Sequence, residues 1–88
     1  MTPEPHEIRL KRLHMRSMRR GIREMDLILT AFAKDHLAQM SAKELDGYES
    51  LLDENDQDLY QWVTGRIAAP NHHAELINAV SRTFQKQT

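Results

Sequence analysis

The sequence predicts an all-α protein, a small compact bundle of about five short helices. Two observations predict it: apolar residues recur at helical spacing in five segments parted by Gly, Pro, Ser or Asn, and no segment alternates as a strand would. One domain spanning residues 1–88 is expected. At 88 residues only about 60 to 65% of the unfolded surface can be buried, so stability should be marginal. The 40% apolar and 28% charged content is that of a globular chain.

Residues 1–6 carry two prolines and no periodicity, and are read as a frayed tail. A first helix over 7–20 mixes Ile8, Leu10, Leu13, Met15 and Met18 with cations, and Gly21 is read as its left-handed cap. The second, over 22–38, places Met25, Leu27, Ile28, Leu29, Ala31, Phe32 and Ala33 nearly all round its circumference and is read as the central buried helix. Ser41 with Glu44 three residues later forms a capping box for a third helix over 41–53, lined by Leu45, Tyr48, Leu51 and Leu52. Asn55 or Asp56 caps a fourth over 56–67, where Leu59, Trp62, Val63 and Ile67 follow at offsets of three, four and eight. Gly65 weakens its end. Pro70 and Asn71 restart the chain into a fifth helix over 71–86, striped by Leu76, Ile77, Val80 and Phe84 and frayed from Lys86 to Thr88.

Charge is polarised along the chain. Net charge is −1, yet the stretch through Arg23 carries +5 and the remainder −6, which points to a charged partner. The absence of cysteine excludes disulfides and thiol catalysis. No apolar run approaches the roughly 20 residues of a membrane span. Glu4 and Glu7 in the opening segment argue against a secretory signal or a mitochondrial presequence, so a bacterial cytoplasmic protein is expected.

No Ser-His-Asp order, P-loop or dinucleotide fingerprint is present, so no catalytic residue is assigned and the chain is read as a non-enzyme. His72 and His73, being adjacent, should point apart on a helix, and no metal site is assigned to them. The acidic run Asp53, Glu54, Asp56 and Asp58 lacks the spacing and central glycine of a calcium loop and reads as helix capping. Trp62, three residues after Leu59, reads as core, whereas Tyr60 could equally face a partner.

Arg20-Gly21-Ile22-Arg23-Glu24 is the most informative stretch. Local physics explains it as a helix terminator followed by an acid that favours the next helix's N-terminus. A basic helix end, a residue without Cβ and an acid one turn on would also make a recognition corner. Gly21 would admit another backbone, Arg20 would offer its guanidinium and Glu24 would accept hydrogen bonds.

With these residues in view the chain resembles the succinate dehydrogenase flavinylation factor family, called SdhE in bacteria and assembly factor 2 in mitochondria. The likeness runs from about Leu13 to Pro70. It rests on Arg20-Gly21-x-x-Glu24, then Met25-Asp26-Leu27-Ile28-Leu29 and Phe32, then Leu51-Leu52 and Asp56-Gln57-Asp58-Leu59-Tyr60-Gln61-Trp62. The family often has proline where Gln57 stands, which puts the rigidity of that turn in doubt.

The resemblance implies an assembly factor that binds the flavoprotein subunit of succinate dehydrogenase, with fumarate reductase as a second candidate client, and promotes covalent attachment of FAD. The cofactor is the client's, with none stably bound by the chain, and the chemistry belongs to client and flavin. Arg20, Gly21 and Glu24 would make the docking contacts, with Arg16, Arg19, Arg23 and Asp26 tuning the surface around them. The free chain is expected to be a monomer that neither binds nucleic acid nor enters a membrane. A competing reading is a small nucleic-acid-binding regulator using Arg9, Lys11, Arg12, Arg16 and Arg19 on phosphates, and a third is a generic protein-interaction module.

Overall fold

Five α-helices account for almost all of the regular structure in the computed structural model, which describes residues 4–86. They are α1 (His6–Met18), α2 (Arg23–His36), α3 (Ala42–Leu52), α4 (Asp56–Val63) and α5 (Ala74–Lys86). A 3-10 turn, Leu37–Gln39, extends α2, and a second, Asn71–His73, leads into α5. No strand occurs among the described residues. The expected fraying of the tail and tip falls in part on residues 1–3, 87 and 88, which lie outside the described residues. His6 already begins α1.

The apolar periodicity explains the core. Leu13 of α1, Met25, Ile28, Leu29, Phe32 and Ala33 of α2, Leu45, Tyr48, Leu51 and Leu52 of α3, Leu59 and Val63 of α4, and Ile77 and Val80 of α5 are buried in one cluster with Leu37. α2 packs against α1, α4 and α5 and is the hub. It is not buried all round, however. Its inward residues follow the offsets 25, 28, 29, 32 and 33 of a single face, and Leu27 stands on the other side, 63% exposed.

Two helix ends depart from the periodicity. α4 stops at Val63, four residues short of the expected 67, because Gly65 takes φ +79°. The Gly65 N–H donates to the Trp62 carbonyl at 3.2 Å and the Arg66 N–H to the Gln61 carbonyl at 3.0 Å, the two bonds of a Schellman stop. α1 ends at Met18, two residues before Arg20, and Gly21 has no positive φ, so it is not the left-handed cap expected of it. The capping box at α3 forms as read: Ser41 N–H donates to Glu44 Oε1 at 2.8 Å and Glu44 N–H to Ser41 Oγ at 3.1 Å. Asn55 caps α4 by accepting from Gln57 N–H at 2.7 Å, a bond a proline at that position could not make.

Candidate functional site

Arginines three or four residues apart on one stripe of α1 and its exit meet carboxylates along α3 and the turn after it. Arg9 reaches Asp46 at 2.5 Å and Glu49 at 3.2 Å, Arg12 reaches Glu49 at 2.6 Å and Glu4 at 2.9 Å, and Arg16 reaches Asp53 at 2.7 Å. Arg20 closes the series on Asp56 at 2.7 Å. The pairs 9–46, 12–49 and 16–53 are all 37 residues apart, so α1 and α3 run in the same direction in register. Hydrogen bonds donated to Glu4 and Glu49 hold the Arg12 guanidinium firmly protonated, and the Arg12 contact in turn keeps the Glu49 carboxyl below its ordinary range. The charge polarity read from the sequence is thus largely compensated within the molecule. Arg9, Arg12 and Arg16 already pair with carboxylates, which removes most of the phosphate-binding stripe that the nucleic-acid reading needs.

The last rung builds the corner. Because α1 has already ended, Arg20 leaves the helical stripe and turns inward, its side chain 9% exposed. Nε donates to Asp56 Oδ1 at 2.7 Å, while its two terminal nitrogens donate to the main-chain carbonyls of Leu52 at 2.9 Å and Glu54 at 3.1 Å. One guanidinium therefore satisfies carbonyls left open where α3 ends and fixes the start of α4. The expectation had this group facing a partner; three of its five N–H donors are used within the fold. Its main-chain N–H donates to Asp26 Oδ1 at 2.5 Å, so Asp26, half-buried, ties the connection to α2.

Gly21 eases a close approach. Its N–H donates to Asp56 Oδ2 at 2.5 Å, and a Cβ there would lie 3.1 Å from that oxygen. The missing side chain admits a carboxylate of the same molecule, while the residue's outer side remains exposed.

Around this knot stand groups that the fold leaves outward. Arg19, Arg23 and Glu24 are exposed and make no ion pair among the described residues, with Arg23 and Glu24 opening α2. Met18 at 57% and Leu27 at 63% exposure flank them and line one shallow depression with Thr30, Ala31 and Lys34. On the outer side of α1, Ile8 and Met15 form an apolar strip bordered by Lys11, Arg12, Arg16 and Arg19.

Asp56, Leu27 and Met18 were not assigned to the site from the sequence. Asp56 looked like a cap. Leu27 could have been found by phasing α2 on Met25, Ile28, Leu29 and Phe32, which puts it on the opposite face.

Two other expectations change with the structure. His72 and His73 do not diverge: in the 3-10 turn their ring centroids lie 4.0 Å apart, and His73, buried, bonds Glu54 Oε2 through Nε2 at 2.8 Å. Trp62 is half-buried against the core, its ring 5.9 Å from that of His73, and Tyr60 is likewise partly buried. Beneath the corner Tyr48 is sealed from water, its hydroxyl paired with Ser17 Oγ while Ser17 donates to the Leu13 carbonyl at 2.8 Å. Burial pushes the Tyr48 hydroxyl up to about 12.

Fold and corner define a small all-α bundle that presents a charged and apolar elbow held rigid from beneath. The chain belongs to the family described as the flavinator of succinate dehydrogenase, whose model it matches over residues 11–84.

It is 49% identical over 63 residues to the mitochondrial succinate dehydrogenase assembly factor 2 of Lodderomyces elongisporus, covering 72% of this chain and 38% of that protein. The counterpart from Meyerozyma guilliermondii gives 49% over 63 residues, 72% of this chain and 47% of that protein. The one from Schizosaccharomyces japonicus gives 42% over 69 residues, 78% and 48%. The chain thus spans about half or less of the length of these curated relatives. All three are mitochondrial proteins of fungi, which overturns the expectation of a bacterial cytoplasmic protein.

Proposed function

We propose that this chain docks on the flavoprotein subunit of succinate dehydrogenase and promotes covalent attachment of that subunit's FAD, without itself catalysing the bond. The observation that carries this reading is the elbow. Arg19, Gly21, Arg23 and Glu24 are exposed beside the uncovered side chains of Met18 and Leu27, on a backbone held by the Arg20–Asp56 pair. Such a surface suits docking: apolar anchors give affinity, and unspent charges give register through charge-assisted hydrogen bonds. A helper that holds the immature client so that its own donors face the flavin would lower the barrier by preorganised charge. Fumarate reductase flavoprotein is the second client of this reading.

In this reading the motif divides into two roles. Arg20 and Asp56 shape the elbow, and Asp26 braces it; Glu24, Arg23, Arg19 and the outer side of Gly21 meet the client. Arg16, paired with Asp53, borders the contact. Arg20 variants would confuse folding with docking, so the decisive substitution is Glu24→Ala, at an exposed residue. Co-expressed with the client, it should lower covalent flavin measured by in-gel fluorescence, with a stability loss of no more than about 1 kcal/mol from the helix N-terminus. Gly21→Arg, whose Cβ would crowd Asp56, should also lower covalent flavin, and its folding is checked in parallel. Full flavinylation with a folded Glu24→Ala chain refutes the role given to this corner.

A further inference from the structure

The turn after α3 and the 3-10 turn before α5 bring together Glu54, His72 and His73, three side chains that the docking elbow leaves unused. One carboxylate oxygen and one nitrogen from each imidazole lie within 4.8 Å of one another. We propose that Glu54, His72 and His73 bind a divalent transition-metal ion of the zinc class and that this ion staples the start of α5 to the α3–α4 turn. The inference stands independently of the flavoprotein reading.

Two imidazoles and a carboxylate are a borderline-soft nitrogen and oxygen donor set that suits Zn²⁺, with Ni²⁺ and Cu²⁺ as competitors. A hydrogen bond of 2.8 Å accounts for His73 and Glu54, but not for the second ring folded back to 4.0 Å beside the first. His73 is only 1% exposed and its ring lies beside that of Trp62, so it is the fixed ligand. His72 is exposed and Glu54 partly so, which gives the ion a path in from solvent.

Metal bonds of about 2.0 to 2.2 Å put tetrahedral ligand atoms roughly 3.4 Å apart, so the His73–Glu54 pair opens slightly from 2.8 Å while His72, within 4.8 Å, adjusts to meet them. Rotation of the exposed His72 side chain supplies that movement. An ionised carboxylate only accepts, so Nε2 of His73 donates to Glu54 in the observed geometry. The ion takes the place of that proton, and a neutral ring takes one up on Nδ1 through solvent, so His73 ligates as an uncharged imidazole. The Glu54 main-chain carbonyl is also an acceptor for Arg20, at 3.1 Å, so an ion held here stiffens the turn on which the Arg20 guanidinium rests.

The test is titration of the full chain with ZnCl₂, read by calorimetry and by fluorescence of Trp62, the single tryptophan, with CuCl₂ as a quenching probe. Saturation at one ion per chain and a melting temperature raised by Zn²⁺ are expected. His72→Ala, at an exposed position, should weaken binding by on the order of tenfold or more and abolish the thermal shift, as should Glu54→Gln. His6→Ala, on α1, should bind like the wild type. Binding without saturation at one ion, or equal affinity in a folded His72→Ala chain, overturns the assignment.

Discussion

Replacing Asp56 by Asn separates the keystone of the elbow from an ion pair of equal length. Asp56 uses both oxygens, one for Arg20 Nε at 2.7 Å and one for the Gly21 N–H at 2.5 Å. Asparagine keeps the shape but only one acceptor, so its amide nitrogen must face a donor. Losing one charge-assisted hydrogen bond costs about 1.5 to 3 kcal/mol. Arg20, 9% exposed, also loses its counter-charge, and breaking a buried pair costs about 3 to 5 kcal/mol in full. Partial exposure of Asp56 at 16% tempers this, and about 2 to 4 kcal/mol is expected.

The comparison is Asp53→Asn. Arg16 and Asp53 also meet at 2.7 Å, but they are 33% and 72% exposed, and such a pair contributes about 0 to 1 kcal/mol. At about 4 to 8 °C per kcal/mol for a domain of this size, Asp56→Asn should lower the melting temperature by roughly 8 to 32 °C and Asp53→Asn by no more than about 8 °C. Urea and thermal unfolding followed by circular dichroism measure both. If the two variants lose the same stability, or Asp56→Asn stays within about 0.5 kcal/mol of wild type, burial is not what makes the last rung strong.

Gly65→Ala should cost about 1 to 2 kcal/mol, since its φ of +79° is strained for any residue with Cβ. Gly47→Ala, within α3 and with no atom within 4 Å of the added carbon, should instead stabilise by about 0.5 to 1 kcal/mol. The same urea curves decide both signs. Tyr48 predicts an alkaline limit. Its hydroxyl titrates at about 12 when folded and near 10 in the free chain. Stability is therefore untouched below pH of about 10 and falls by about 1.4 kcal/mol per unit up to about pH 12, as the unfolded chain ionises first. Tyr48→Phe should abolish that fall in urea midpoints measured across the range. Leu27→Ser, at an outward position, should leave the unfolding curve within about 0.5 kcal/mol of wild type. The same variant should weaken capture of the flavoprotein in a pull-down with the purified client.

Local rules carried the fold and failed where a distant residue decided the outcome. The capping box at Ser41 and Glu44 involves neighbours three apart, and both its bonds are present. The inward face of α2 follows from spacing alone, but Leu27 and Ala31 beside it made the helix look apolar all round. Ile67 prolonged the α4 pattern on paper, and a backbone angle at Gly65 that periodicity does not encode ended the helix earlier. The Arg-to-carboxylate series was out of reach for another reason. Its partners are 36 to 40 residues apart, so they become neighbours only once α1 and α3 have chosen a common direction and register.

That register explains why the members of one motif have such different surroundings. Arg9, Arg12 and Arg16 spend their charge along α3, and the fourth rung falls just past the end of α1. There a side chain can leave the stripe and reach two main-chain carbonyls as well as a carboxylate. Arg20 becomes the pin of the elbow because the helix ends two residues before it; at Gly21 a Cβ would press on Asp56 at 3.1 Å, so the missing side chain eases the approach. Glu24, in the first turn of the next helix, is left outward and makes no ion pair among the described residues. A substitution at Arg20 or Asp56 should therefore cost stability and client binding together, whereas one at Glu24 or Leu27 should chiefly cost binding. Loss of stability at Glu24 to the same extent as at Asp56 would mean the whole motif is a structural clasp.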